Sequence, residues 1–192
     1  MKPRAQSRSR PAFVVTVAIL ASLAGTTTSA ADRRVDEQGS SVADFNKRVT
    51  AYVELTKRAT QGLPRLTRTD VPSEITTREG ELGAAIRVAR ASARPGDVLT
   101  SGVARVFRQV IKDDFRHRPR HGQKVMRDEV PHFHPKVNQT YPGEWPLATF
   151  PATLLAKLPE LPDGLEYRLL SEALILRDVS ANIIVDFILD VF

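Results

Sequence analysis

The chain has 192 residues and no cysteine, which excludes disulfide bonds and thiol chemistry. It carries 28 Lys and Arg against 22 Asp and Glu, a net charge of +6. Four of the basic residues and none of the acidic ones lie in residues 1–31, so 24 against 22 leaves +2 on the rest of the chain. Nucleic-acid-binding proteins concentrate basic charge on one face. A nearly neutral chain therefore predicts no nucleic-acid partner.

Residues 1–31 have the three-part organisation of a secretory signal peptide. A basic opening precedes an apolar run at 12–25, which is followed by the small residues Ser29, Ala30 and Ala31. The run has 14 residues, whereas a membrane-spanning helix needs about 20, so cleavage after Ala30 or Ala31 is favoured over an uncleaved anchor. The opening lacks paired arginines, which favours the general secretory route. We expect a periplasmic or extracellular protein with no stable membrane span after cleavage.

The rest of the chain divides by composition into a short tether and one domain. Residues 32–40 are polar and mixed in charge, which predicts a flexible tether. Residues 41–192 are long enough to bury a core without cross-links and predict a single α+β domain. Within it we expect a helical part at 41–118, a proline-rich connection at 119–162 and a β-meander at 163–192.

Three amphipathic helices are predicted in the helical part, because apolar residues recur there at steps of three and four. The first begins at Ser41, whose hydroxyl is expected to cap the first turn, and ends before Gly62. The second spans about 73–93, and the third runs from Thr100 or Ser101 to about His117. Each helix is expected to bury one stripe of side chains.

The proline-rich connection contains eight prolines, which exclude any long regular element. One short helix fits after Pro151, because proline is compatible with the first helical position and Leu154, Leu155 and Leu158 follow on one side. Large apolar side chains are expected to anchor the connection on the core: Phe133, Tyr141, Trp145, Leu147 and Phe150. The alternative for Tyr141 and Trp145 is stacking on a sugar or a peptide.

Alternating hydrophobicity in the last thirty residues predicts a three-stranded antiparallel meander. The strands are Leu165–Leu170, Ala173–Asp178 and residues 183 to about 189, with turns at 171–172 and 180–181. On one face the expected register aligns apolar residues that cover the helices: Leu165, Tyr167, Leu169, Leu174, Leu176, Ile183, Val185 and Phe187.

The other face of the predicted sheet collects charged residues. Glu166 falls opposite Arg177, and Arg168 and Asp186 are expected within reach of the same cluster. Two guanidinium groups suit an anionic ligand such as a carboxylate or a phosphate. The alternative is a solvated sheet face on which opposed charges neutralise one another.

All four histidines fall within eighteen residues, at His117, His121, His132 and His134. Together with Asp113 and Asp114, just before them, they offer imidazole and carboxylate ligands of the kind that divalent metals bind. Nearby basic residues would repel a metal ion. Pro119 also interrupts the helix on which His117 and His121 would share a face. A basic solvated loop is therefore the alternative to a metal site.

Several short segments run through the C-terminal third, at 141–142, 146–147, 158–162, 165–168, 176–179 and 181–186. With Gly96-Asp97-Val98, they resemble a family of uncharacterised exported bacterial proteins. The resemblance covers half of the chain after the signal peptide. It implies export and one shared fold, and it assigns no activity to any residue.

The sequence matches none of the local motifs of nucleophilic, phosphate-binding or zinc-dependent enzymes. We therefore expect an exported, non-catalytic protein without a cofactor. It would act by contact, through the charged sheet face or the proline-rich connection, with a protein, a peptide or a cell-wall component. The alternative is a divalent-metal-binding protein or metal-dependent hydrolase that uses the four histidines.

Overall fold

Five helices precede a three-stranded antiparallel sheet in the part of the chain that the structure describes. The computed structural model describes residues 30–64, 70–128, 134–142, 150–170 and 172–192, without the side chains of 126–128. The elements are α1 (Ala30–Ala59), α2 (Pro72–Ala89), α3 (Ser101–Arg116), α4 (Arg120–Asp128), α5 (Ala152–Leu155), β1 (Leu165–Leu170), β2 (Ala173–Asp178) and β3 (Ile183–Ile188). The predicted α+β class is confirmed.

The sheet has the order β1-β2-β3, and its three strands lie where the alternation predicted them. The first two have the predicted bounds, and the third ends one residue early, at Ile188. Short connections of two and four residues and β-branched or leucine-rich strands favour such a meander. Glu166 pairs with Arg177 across β1 and β2, as expected.

One residue of β3 changes the register of the sheet. Leu176 pairs with Asp186 and Arg177 pairs with Ile184, which leaves Val185 as the extra residue of a β-bulge. Because side chains alternate along a strand, an extra residue moves those that follow to the other face. The predictions for two residues are therefore wrong: Asp186 lies on the helix side of the sheet, and Phe187 lies on the outer face.

The main core lies between the sheet and the helices. At its centre the ring of Phe107 from α3 packs 5.4 Å from Phe45 of α1 and 6.0 Å from Tyr167 of β1. Ile86 of α2 and Leu154 of α5 are fully buried in the same cluster. The helical layer thus covers one face of the sheet, as the stripes predicted.

The segment 138–141 pairs with the free edge of β3, and its Tyr141 packs on the outer face of the sheet. Asn138 and Tyr141 donate backbone hydrogen bonds to the carbonyls of Ile184 and Asn182, at 2.8 and 2.9 Å, and Ile184 donates to Gln139. A second apolar cluster packs here: Tyr141, Leu170, Ala173, Ile175 and Ile184. The outer face is therefore apolar near β3 and charged near the start of β1, rather than solvated throughout.

The first helix begins eleven residues before Ser41, so the predicted tether at 32–40 is wrong. This stretch is the exposed first part of α1. The Ser41 hydroxyl donates to the Glu37 carbonyl at 2.8 Å inside the helix and does not cap its start. Long charged side chains such as those of Arg33, Arg34 and Glu37 have good helix propensity. A helix that is already packed further along extends through them at little cost.

The proline-rich connection is more helical than predicted. The helix α4 begins directly after Pro119, whose carbonyl accepts a hydrogen bond from the Gln123 amide at 3.1 Å. Proline thus precedes a helix here rather than excluding one, since its fixed φ suits a helix start. The short helix predicted after Pro151 is confirmed as α5, with Leu154 and Leu158 buried.

Some predictions fall outside the described residues. These are the signal peptide up to residue 29, together with Phe133, Trp145, Leu147 and His132. Among the helices that the structure does describe, none combines the length and the apolar character needed to cross a membrane.

Candidate functional site

The first strand of the meander has an edge along which no described strand pairs. Val179 donates to the Gly164 carbonyl at 2.8 Å, so these two residues form a hydrogen-bonded pair. In an antiparallel ladder, hydrogen-bonded pairs alternate with pairs whose backbone groups point away from each other. Tyr167 and Leu169 therefore turn their backbone N–H and C=O groups away from β2. No described residue forms a hydrogen bond with these outward groups.

A groove of about 650 Å³ runs beside this edge. Four consecutive residues of β1, at 165–168, form one wall. Consecutive side chains point to opposite faces of a sheet, so a cavity that touches all four lies along the edge of the strand. The other wall is α5 and the segment after it, with Phe150 at one end: Ala152, Leu155, Ala156, Leu158, Pro159, Glu160 and Leu161.

The groove owes its shape to packing on both sides. Leu154 and Leu158 are buried in the main core and fix α5 beside the sheet. The Tyr167 hydroxyl donates to the Pro159 carbonyl at 3.1 Å, which holds the segment after α5 opposite the strand. Leu155 projects from this wall with 48% of its surface exposed. The volume lies in the range of about 300–1,000 Å³ that is typical of ligand sites.

Charged residues stand at the β1 side of the groove. The Glu166 carboxylate accepts hydrogen bonds from Nε and Nη2 of Arg168 at 2.7 and 2.6 Å, and from Nη1 of Arg177 at 2.8 Å. Nη2 of Arg177 donates to Asn182 Oδ1 at 2.7 Å. Both guanidinium groups are thus already paired with a carboxylate. An anionic ligand would have to compete with Glu166 for them.

Two carboxyls of the protein are held ionised by pairs of basic side chains. Burial by itself would raise the pKa of Glu166, but the hydrogen bonds and charges of Arg168 and Arg177 outweigh it and lower the pKa. The same balance lowers the pKa of Asp114, which pairs with Arg118 and Lys157 at 2.7 and 3.1 Å. Both carboxyls are therefore better stabilised as anions in the folded protein than in the unfolded chain.

We expect the free energy of unfolding to fall as the pH drops below about 4, the ordinary pKa of these carboxyls in the unfolded chain. Below that pH the unfolded state binds more protons than the folded state, because both folded pKa values are lowered. The stabilisation is complete above the ordinary values and is lost as the pH falls through the folded ones. Urea unfolding across this range measures the effect. A Glu166→Gln/Asp114→Asn variant should show a shallower dependence, and an unchanged one would contradict the assignment.

The predicted candidate Tyr141 lies behind the charged residues rather than in the groove. It is fully buried, and the Arg177 guanidinium stands 4.6 Å above its ring. Burial raises the pKa of its hydroxyl, and this oxygen has no hydrogen-bond partner among the described residues. Tyr141 therefore anchors the outer face by packing and does not offer its ring to a ligand. Its companion candidate Trp145 lies outside the described residues.

Because of the bulge, the fourth predicted member of the charged cluster, Asp186, does not lie beside the other three. Asp186 is fully buried on the helix side, where its carboxylate accepts hydrogen bonds from the amides of Gly96, Val98 and Leu99 at 2.8–3.1 Å. Asp186 thus ties the loop between α2 and α3 to the sheet. The prediction that it joins Glu166 and Arg177 is wrong.

A second buried polar network was not predicted. The Tyr52 hydroxyl donates to Asp178 Oδ2 at 2.8 Å, and burial, together with this carboxylate, raises the pKa of Tyr52. Arg90 lies over the Tyr52 ring at 5.0 Å and donates to the Val185 carbonyl at 3.0 Å and to Asn138 Oδ1 at 2.8 Å. These residues are far apart in the sequence, and no local pattern links them. They join α1, α2 and the outer segment to the sheet.

The three histidines that the structure describes lie in different parts of the fold. His117 follows the last residue of α3, with Nδ1 2.6 Å from the Asp113 carbonyl oxygen, and His121 is exposed in the first turn of α4. His134 is exposed at the start of the described range 134–142, and Asp114 is paired with Arg118 and Lys157. Among the described residues, no three His, Cys, Asp or Glu come together in a group that suits a metal ion.

No family model, curated protein or solved structure matches the chain. The choice of a candidate site therefore rests on geometry, and the groove beside β1 has the most geometric support. It unites two surfaces that the sequence singled out separately, the charged residues of the sheet and the proline-rich connection. Sequence reasoning missed the groove itself. The available signal was that β1 opens a three-strand meander and therefore has one side that its neighbours in the chain do not cover.

Proposed function

We propose that this is an exported, non-catalytic protein of the cell envelope that binds an extended peptide segment in the groove beside β1. The observation that carries the proposal is the outward-facing edge of β1, where the backbone groups of Tyr167 lie along an apolar groove and those of Leu169 continue the same edge just beyond its lining. Proteins that bind peptides by strand addition use such an edge for main-chain hydrogen bonds and a neighbouring pocket for side chains.

The spacing of the edge groups favours a peptide over a compact small molecule. Tyr167 and Leu169 lie two residues apart, so their donor and acceptor pairs repeat at about 7 Å. An extended polypeptide repeats its own backbone groups at the same interval and matches both pairs at once. Side chains of the bound strand would alternate between the apolar wall at Leu155 and Leu158 and the charged side at Glu166 and Arg168.

The charges in the groove support a binding role rather than catalysis. A general acid at neutral pH needs a pKa near the working pH, whereas the pKa of Glu166 is lowered by two guanidinium groups. Arg168 is held by both oxygens of that carboxylate. The proposed export rests on the signal-peptide organisation of residues 1–31 and on the resemblance to exported bacterial proteins.

A Leu155→Glu variant should bind peptide about tenfold or more weakly than the parent. The exposed leucine offers apolar surface that a ligand would cover, and a carboxylate there would have to lose water on binding. The probe is a peptide selected on the parent protein from a random decapeptide library, with affinity measured by fluorescence anisotropy. Hydrogen exchange of the Tyr167 and Leu169 amides should slow when the peptide is bound.

The matched control is Val88→Glu, because Val88 is 80% exposed on α2 and lies outside the groove. This change adds the same charge and should leave the affinity unaltered. A selected peptide methylated at alternate backbone nitrogens should lose binding, since it cannot donate to the strand edge. Equal weakening by both variants, or unchanged exchange at Tyr167 and Leu169, would refute strand addition.

A further inference from the structure

Basic charge is concentrated in one part of this protein. Residues 101–128, which comprise α3 and α4, carry eight Lys and Arg against three Asp, a net charge of +5. The remainder of 32–192 carries 16 Lys and Arg against 19 Asp and Glu, a net charge of −3. The small overall charge therefore conceals a strongly basic region beside a weakly acidic body.

The basic residues of α3 lie along one side of the helix. Arg105, Arg108, Lys112 and Arg116 follow one another at steps of three and four residues, which places them in a stripe about 17 Å long. All four are partly or fully exposed, on a different side from the buried Phe107 and its neighbours. Arg120 and Lys124 on α4 add two more exposed cations. We refer to these six residues, four along one side of α3 and two on the helix that follows it in the chain, as the basic surface.

The acidic residues of this region do little to neutralise the basic surface. Asp114 is buried and paired with Arg118 and Lys157, neither of which belongs to it. Asp113 approaches Arg116 only to 3.5 Å. Within the described ranges, no carboxylate lies within ion-pair distance of Arg105, Lys112 or Lys124. These three cations are thus available to an external anionic partner, whereas Arg116 already has a carboxylate beside it.

Aliphatic side chains are exposed next to these cations. Arg108 donates to the Leu189 carbonyl at 2.9 Å, and the Leu189 side chain is 45% exposed. On α4, Val125 is exposed directly after Lys124. Cations mixed with aliphatic groups are typical of surfaces that rest in the interface of a bilayer. Single-stranded nucleic acid is instead bound through aromatic stacking.

We propose that the basic surface docks on the face of an anionic phospholipid bilayer. The inference takes the envelope location from the proposed function, and it concerns elements other than β1 and α5, so it can fail while the peptide groove stands. Lys and Arg would lie against the lipid phosphates, and Leu189 and Val125 would enter the interface. Electrostatic attraction of this kind grows with each basic residue and weakens with added salt.

The test is sedimentation with vesicles, using protein isolated from the envelope fraction. Vesicles that contain phosphatidylglycerol should bind the protein, and vesicles of phosphatidylcholine alone should not. A Lys112→Glu/Arg116→Glu variant should bind about 25-fold or more weakly, because each removed cation accounts for about fivefold. Raised salt should release the parent protein.

The matched control is Lys47→Glu/Lys57→Glu, which makes the same change of net charge at exposed positions of α1. This control should bind vesicles like the parent, and circular dichroism should show all variants folded. Equal loss in both variants, or equal binding to both vesicle types, would overturn the proposal. Binding to duplex DNA through Lys112 and Arg116 without binding to anionic vesicles would overturn it as well.

Discussion

Replacement of Asp186 by alanine is expected to lower the free energy of unfolding by about 3–5 kcal/mol. The carboxylate is fully buried and is the acceptor for the amides of Gly96, Val98 and Leu99. Its removal leaves these donors without a partner away from water, and each such loss is costly. The Arg90 guanidinium also loses a nearby negative charge.

Urea unfolding followed by circular dichroism measures this effect. Asp186→Asn keeps an oxygen acceptor and should cost about half as much as the alanine variant, because hydrogen bonds to a charged group are stronger. Asp163→Asn, at an exposed position before β1, is the matched control and should change stability by less than about 0.5 kcal/mol. A cost for Asp186→Ala below about 1 kcal/mol would contradict the structural role of this carboxylate.

The same residue illustrates what the sequence can and cannot predict about the sheet. Alternation and turn residues located β1 and β2 to the residue, and the pairing of Glu166 with Arg177 followed from them. The bulge at Val185 has no comparable signature, since it depends on the fit of β3 against both β2 and the helical layer. Because of this one extra residue, Asp186 lies in the buried interface with the loop between α2 and α3, and not in the expected surface cluster.

The helices show a similar division between local and tertiary causes. The stripe that includes Phe107 and Ile111 in α3 could be predicted, because burial on one side makes apolar residues recur with the helical period. The start of α1 could not be predicted, because residues 32–40 are exposed and show no apolar pattern. Their helical state depends on propensity and on continuity with the part of α1 that packs on the core.

The candidate site could be predicted only in pieces. Glu166, Arg168 and the leucines after Pro151 were each singled out by local pattern. Their convergence on one groove depends on the packing of α5 against α3 and on the contact between Tyr167 and Pro159, both of which are tertiary. The network of Tyr52, Arg90 and Asp178 was missed for the same reason.

The second large effect is expected at the centre of the main core, where Phe107→Ala should destabilise the protein by about 3–5 kcal/mol. Phe107 is fully buried, and its ring contacts Phe45 and Tyr167 edge to face. The change removes apolar burial and leaves a cavity between α1, α3 and β1, which the close-packed neighbours fill only in part. Urea unfolding at neutral pH measures the loss.

Because Tyr167 belongs both to this core and to the wall of the groove, the same variant connects stability with binding. Phe107→Leu fills part of the cavity and should recover about half of the lost stability. If strand addition depends on a firmly held β1, peptide affinity should fall in Phe107→Ala under conditions in which it is still folded, and should return in Phe107→Leu. Vesicle binding through α3 and α4 should follow the fraction folded alone, which would separate the two proposed surfaces in a single pair of variants.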